Sequence, residues 1–380
     1  MRPTMRALHV YSGNLYGGIE SLLVSLARVA ARHPEGTVHE YALCFEGRLA
    51  DELRAAGATV HLLGPARVSH PWTVWRARRA LGAVLKQGAY SAAVCHSVWP
   101  QALFGPVVRA AGVPLVFFQH EPLAGAHWLE RWASVTPPDL VLSNSAFAAR
   151  SLGSVYPRAA YRVRHPLVAE AARELEAAER ALLRADLGAS EDDVVIIHVS
   201  RMQALKGHRL LLEALGRMRE ARGWRLWVVG GAQREEEVRY VDGLLAQSKA
   251  LGLQGRVRFL GQRSDVPRLL RAADLHCQPN TSPDSFGLAF VEALQAGLPV
   301  VTTALGGPLE IVDETCGRLV APEAGALASA LLRLVVDAEA RRRLGEGGPA
   351  RAARLCAPEV FLASLDDDLR SVMSVSRVAA

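Results

Sequence analysis

Arg201 and Lys206 stand five positions apart in Ser200-Arg201-Met202-Gln203-Ala204-Leu205-Lys206-Gly207, directly after the apolar run 194–199. Two cations leaving the carboxyl end of a strand, just ahead of a helix whose N-terminus favours anions, make a phosphate grip, and a diphosphate suits their spacing. A second motif, Pro279-Asn280-Thr281-Ser282-Pro283-Asp284-Ser285-Phe286-Gly287-Leu288, follows the apolar run 275–278, and the helix it opens carries Glu292 eight positions after Asp284. The two acids can then address different ends of one ligand, such as a sugar hydroxyl and a ribose hydroxyl. Between them the N–H groups of Phe286, Gly287 and Leu288 lack intrahelical acceptors and can meet phosphate, with Gly287 allowing close approach. Taken singly these residues have plainer readings: Arg201 and Lys206 as solvated loop cations, Asp284 or Ser285 as a helix cap, Glu292 on a wet helix face. The coincidence of the two motifs favours a ligand.

Such residues need rigid elements to hold them. A chain of 380 residues exceeds what one core usually supports, so two domains are expected. Apolar runs at 6–11, 38–44, 59–63, 92–95, 114–119 and 139–143 alternate with helical or loop segments, which implies a parallel sheet covered on both faces. The pattern lapses around Arg164, Pro166 and Leu167 and restarts at 194–199, 225–229, 257–260, 275–278, 299–302 and 317–320. The expectation is an α/β protein of two Rossmann-like domains facing each other across a cleft. Residues 1–168 form the first domain and 169–358 the second, with a C-terminal helix in 359–380 packing back on the first.

Half the residues are hydrophobic and 22% charged, the balance of a globular chain. A formal charge of +6 spread over this length implies no nucleic acid, and with only Lys86, Lys206 and Lys249 as lysines, a lysine is mildly informative. Cys44, Cys95, Cys277, Cys316 and Cys356 are odd in number and scattered, which suggests neither disulfides nor zinc and fits a cytoplasmic protein. No apolar run reaches the ~18 residues of a membrane span. Two acidic runs invite a check for metal. Glu191-Asp192-Asp193 precedes its strand, at the wrong end for ligands, and Asp366-Asp367-Asp368 lies in the C-terminal helix, where a solvated face is expected. No divalent ion is expected. The basic stretch 72–86 reads as a surface helix packing Trp72 and Trp75 on the first domain, with peripheral membrane contact as the less favoured reading.

The Arg-x-x-x-x-Lys pair and the acid-x7-Glu motif together resemble those of the family 4 retaining glycosyltransferases, the GT-B enzymes also called glycosyl transferases group 1, and the likeness covers nearly the whole chain. The resemblance implies that the first domain binds acceptor and the second the sugar nucleotide, and that Arg201 and Lys206 hold the donor diphosphate, Asp284 contacts the transferred sugar and Glu292 holds the ribose. Asp284 departs from the family's usual Glu, a contact one methylene shorter. Gly17-Gly18, His120, Ser143-Asn144-Ser145, Val229-Gly230-Gly231 and Gly306-Gly307 before Glu310 agree with the pattern, though each alone reads as a turn, a structural histidine or a helix cap. His120 ends the strand 114–119 and is expected to face the cleft, where Nε2 or Nδ1 donates to a sugar hydroxyl or touches the acceptor; were the reaction inverting, His120 or Glu121 would be the general base.

Retention requires no protein nucleophile, since the leaving phosphate oxygen takes the acceptor's proton, and it implies no metal or other cofactor. The implied partners are a sugar nucleotide, UDP before GDP with the base near 256–263, and a hydroxyl acceptor bound by loops 13–18 and 122–132. A nucleotide-sugar epimerase or phosphorylase on the same architecture, and a catalytically silent sugar-nucleotide-binding protein, are the rival readings.

Overall fold

The computed structural model describes residues 5–13, 17–168 and 173–378, with side chains through 373. The chain divides into two compact units, Met1–Ala169 with Cys356–Ala380, and Glu170–Leu355. Among the described residues no helix is long and apolar enough to cross a membrane.

The first unit holds β1 (Arg6–Tyr11), β2 (Val38–Leu43), β3 (Val60–Leu62), β4 (Ala92–His96), β5 (Leu115–Gln119), β6 (Leu140–Ser143) and β7 (Tyr161–Val163). They run parallel in the order β3-β2-β1-β4-β5-β6-β7. The central strands are buried throughout, as expected where helices cover both faces of a sheet. Sequence periodicity missed β7. It is a three-residue edge strand with Tyr161 and Arg162 exposed, so only its pairing with β6 marks it as a strand.

The last helix, Pro358–Val378, belongs to this unit. Phe361, Leu365, Leu369 and Val372 recur at helical spacing and pack against Leu22, Leu26 and Val29 of the helix Gly18–Ala30 and against Val94 and Phe118 of the sheet. Each such side chain, fully buried, contributes about 1.5–3 kcal/mol. The acidic run on this helix is only in part the solvated face expected from sequence, since Asp367 alone is exposed. Asp368 is fully buried and ion-paired with both Arg162 and Arg164, and the Thr37 hydroxyl donates to Asp366 at 2.5 Å. A buried carboxylate requires such partners, and a helical-wheel reading cannot show them.

In the helix Pro71–Gly88, Val74, Ala77, Leu81 and Leu85 form the buried stripe. Trp72 and Trp75 are 61% and 60% exposed, which corrects the expectation that both tryptophans pack on the domain. Arg79 lies 5.7 Å from the Trp75 ring, so the exposed aromatics sit among cations.

The second unit holds β8 (Val194–Val199), β9 (Trp224–Val229), β10 (Val257–Gly261), β11 (Leu275–Gln278), β12 (Val300–Thr303) and β13 (Gly317–Val320), parallel in the order β10-β9-β8-β11-β12-β13. In both sheets the strand order reverses beside the first strand, between β1 and β4 and between β8 and β11. The crevice at the carboxyl ends of such a pair is where open α/β sheets receive ligands.

Candidate active site

Both motifs of the second unit emerge at the β8/β11 reversal. After Val199 the chain makes a one-turn helix at Ala204–Lys206, then enters the helix His208–Arg217 through Gly207. Gly207 has φ +77°, and a Cβ there would lie 1.7 Å from the Pro279 carbonyl oxygen, so only glycine lets this loop seat on the one that follows β11. Hydrogen bonds tie the two loops: Thr281 N–H donates to Leu205 O at 2.9 Å and its hydroxyl to Ala204 O at 3.2 Å. The result is an ion pair between Lys206 and Asp284, each side chain 17% exposed.

Asp284 also accepts from the Ser285 N–H at 2.9 Å and bridges to Gly306, while Gly307 N–H donates to Asp284 O at 2.8 Å. A Cβ on Gly307 would come within 2.3 Å of Ser285 O. The Gly306-Gly307 pair seen in the sequence is therefore a backbone platform under the acidic loop. Gly287, at φ +109°, precedes the helix Leu288–Gln295, and the N–H groups of Gly287 and Leu288 have no acceptor among the described residues. Phe286 is buried, and its side chain is part of the loop's packing. Glu292 is half-buried with no side-chain partner among the described residues, and burial raises its carboxyl above the usual carboxylate range.

Arg201 is placed differently from Lys206. Its guanidinium donates to Glu237 at 3.2 Å, while its Nε is buried with no partner among the described residues. Glu237, on the helix Glu235–Ala250, also accepts from the Gln233 N–H at 2.6 Å. Nothing in the sequence linked Glu237 to Arg201. Equally unforeseen is a polar cluster beneath them: Ser200 Oγ lies 2.8 Å from His198 Nε2 and 3.2 Å from His208 Nε2, and the two rings stack at 4.2 Å. Burial lowers His208 to about 4 and holds both imidazoles neutral. The segment 256–263 is split. Arg256, ahead of β10, donates to Ala221 O at 2.7 Å, at the edge away from ligands, so only the Gly261–Arg263 end reaches the carboxyl edge of the sheet.

In the first unit His120 follows β5 and is held by backbone and ring alike. Asn144 Nδ2 donates to His120 O at 3.0 Å, Phe118 stacks on the ring at 4.5 Å, and Nε2 lies 3.0 Å from His96 Nδ1. Since Nε2 is occupied, Nδ1 alone remains for a ligand. Burial lowers this imidazole to about 3. Ser143-Asn144-Ser145 is a bracket for that segment: Ser143 donates to Gln119 at 2.6 Å and Ser145 caps the helix Ala146–Ala149. Gly17 precedes the helix Gly18–Ala30, whose first turn carries the buried Glu20, accepting from Tyr11 Oη at 2.7 Å. Residues 14–16 of that glycine loop lie outside the described residues. Among the described residues no three His, Cys, Asp or Glu side chains group as a metal site.

Residues 179–351 match the family model for glycosyl transferases group 1. Two curated relatives are D-inositol 3-phosphate glycosyltransferases. One, from Mycobacterium sp. (strain KMS), is 39% identical over 145 residues, covering 37% of this chain and 32% of the relative. The other, from Segniliparus rotundus, is 34% identical over 183 residues, covering 46% and 40%. The chain thus spans about a third of the length of the curated relatives it matches. Among solved structures, Anabaena HepE in complex with UDP and glucose superposes with a TM-score of 0.83 at 23% identity, over 97% of this chain and 100% of that one. WaaG, a glycosyltransferase of lipopolysaccharide biosynthesis, gives 0.72 at 19%, over 96% and 99%. These likenesses show the two-domain GT-B fold. Residues 179–351, which hold Arg201, Lys206, Asp284 and Glu292, are thus the part of the chain that is similar to the glycosyl transferases group 1 family.

Proposed function

We propose that the protein is a glycosyltransferase that moves a hexosyl group from a nucleotide-diphosphate sugar, UDP-sugar in the first place, to an acceptor hydroxyl with retention of anomeric configuration and without a metal ion. One observation carries the reading. Glycine-enforced contact between the loops after β8 and β11 pairs Lys206 with Asp284, and the helix that the second loop opens begins with the free Gly287 and Leu288 N–H groups and carries the unpartnered Glu292. Cation, N–H donors and lone carboxylate match diphosphate and ribose in turn. That Anabaena HepE, of the same fold, was solved with UDP and with UDP-glucose supports UDP as the nucleotide.

In this reading Lys206 exchanges Asp284 for the diphosphate when donor binds, and Asp284 turns to the sugar. The acceptor oxygen bonds to the anomeric carbon as the bond to the diphosphate oxygen breaks, and that oxygen takes the acceptor's proton. Lys206, Arg201 and the loop N–H groups neutralise the growing charge. His120, through Nδ1, contacts a hydroxyl of sugar or acceptor.

The test is a melting screen against UDP- and GDP-sugars, since a ligand selective for the folded state raises Tm, followed by turnover with an acceptor panel in chelator. Acceptor-dependent release of UDP and a product with the donor's anomeric configuration are expected. Binding of nucleotide with no turnover on any acceptor would leave a silent binding protein, and a product of inverted configuration would end the retaining mechanism.

A further inference from the structure

Four histidines cross the first sheet in one hydrogen-bonded line. His39 Nδ1 lies 2.9 Å from His9 Nε2, His9 Nδ1 lies 2.9 Å from His96 Nε2, and His96 Nδ1 lies 3.0 Å from His120 Nε2. The register explains the line. His9 pairs with Tyr41 and Val94, and His96 with Phe118, so each link steps one strand across and two residues toward the carboxyl edge. Steps of two keep every ring on one face of the pleat, the face roofed by the C-terminal helix. Tyr41 stacks on His9 at 5.2 Å, and Phe118, itself stacked on Phe361, lies over both His96 and His120.

Burial keeps all four imidazoles neutral: His39 is lowered to about 4, His120 to about 3, and His9 and His96 lie well below their ordinary value. A neutral ring carries one N–H, and each of the three contacts needs one hydrogen. Every contact joins an Nδ1 to an Nε2. Only two proton arrangements therefore satisfy all three, Nδ1–H on every ring or Nε2–H on every ring. Any mixture sets two bare nitrogens or two N–H groups against each other in a dry interior, at a cost of about 1–3 kcal/mol. The proton on one terminal ring thereby dictates the proton on the other.

The two ends differ. His120 ends at the carboxyl edge of the sheet with Nδ1 free of protein partners among the described residues. His39, at the other end, lines a pocket of about 350 Å³ with Glu35, Glu359, Asp366, His33 and Arg370, and its Nε2 has no protein partner there. Three carboxylates face one guanidinium in that pocket, and a surplus of acceptors favours an N–H on the ring that lines it.

We propose that His39, His9 and His96 are positioning residues that set the tautomer of His120: the acidic pocket keeps the proton on His39 Nε2, every ring of the line then carries Nε2–H, and His120 offers a bare Nδ1 that accepts a hydrogen bond from a substrate hydroxyl. The last clause rests on the function proposed above. The tautomer line itself does not.

The experiment reads imidazole 15N shifts and two-bond N–H couplings in the full chain labelled with 15N-histidine. All four rings are expected as Nε2–H. His39→Phe removes the acceptor of His9 Nε2–H and is expected to move the His120 tautomer ratio by about tenfold or more, the weight of one buried hydrogen bond. His39→Asn, whose Oδ1 can stand in for Nδ1, restores it. Glu35→Gln with Glu359→Gln, both exposed, moves the ratio the same way by less, and decides the matter alone if His39→Phe does not fold. A His120 tautomer unmoved by these changes, or lost equally with Asn and Phe, overturns the proposal. In turnover, His39→Phe lowers kcat with donor KM unchanged and Asn rescues it; a shifted tautomer with unchanged kcat refutes the substrate clause, whereas a wild-type chain without transferase activity refutes the proposed function and leaves the spectra standing.

Discussion

The two units share the order of six strands, the first adding the edge strand β7, and differ in what they place where the candidate residues lie. In the second, charge gathers at the carboxyl edge of the sheet: Lys206 with Asp284, Arg201 with Glu237, and the lone Glu292. In the first, that edge carries the neutral His120 braced by Asn144, with Ser143 and Gln119 behind it, while a major ion-pair cluster, Asp368 with Arg162 and Arg164, locks the C-terminal helix to the sheet. The contrast teaches that a Rossmann-like sheet supplies a position, not a chemistry. What the loops place along the carboxyl edge decides which chemistry that edge can offer.

The contrast breaks most visibly at Lys206. Lys206→Ala is expected to lower kcat/KM by about a hundredfold to a thousandfold, the usual cost of one charge-stabilising group, with the melting profile of the free protein little changed. Retained activity would show that the charged edge is structural like its counterpart. Next comes Asp368→Ala, which strips the partner from two arginines and is expected to destabilise the first unit by about 3 kcal/mol, visible as a lowered first transition in calorimetry while nucleotide affinity in the second unit persists. An equal loss of nucleotide binding would mean that the two clusters are not independent.

Smallest and opposite in sign is Glu292→Gln. Burial raises this carboxyl in the folded protein, so the folded state binds a proton more tightly than the unfolded chain. Stability from this group is then fully present below the ordinary carboxylate pKa and is lost as pH climbs through the raised value. Glu292→Gln is therefore expected to raise Tm slightly at neutral pH, to gain nothing at pH 4, and to weaken nucleotide binding. A Tm difference independent of pH would remove the case for a strained ligand-holding acid.

Much was legible along the chain because it is local. Apolar runs such as 194–199 and 275–278 are strands since a sheet covered on both faces needs no alternation, and Gly207 or Gly287 marks a turn that side chains resist. The loops that would grip a diphosphate follow those runs directly, so Lys206, Asp284 and Glu292 could be singled out by spacing. Their partners could not. Glu237 lies 36 residues from Arg201, and β7 is a strand only because β6 is beside it.

Sequence alone determined where strands begin, which turns demand glycine and which loops carry charge, because backbone sterics and burial act between neighbours. Tertiary structure decided which buried groups meet: His9 with His96 across 87 residues, Arg162 with Asp368 across 206. Such meetings depend on strand register and on the returning C-terminal helix, and a histidine or aspartate carries no mark of its partner until the sheet sets them side by side.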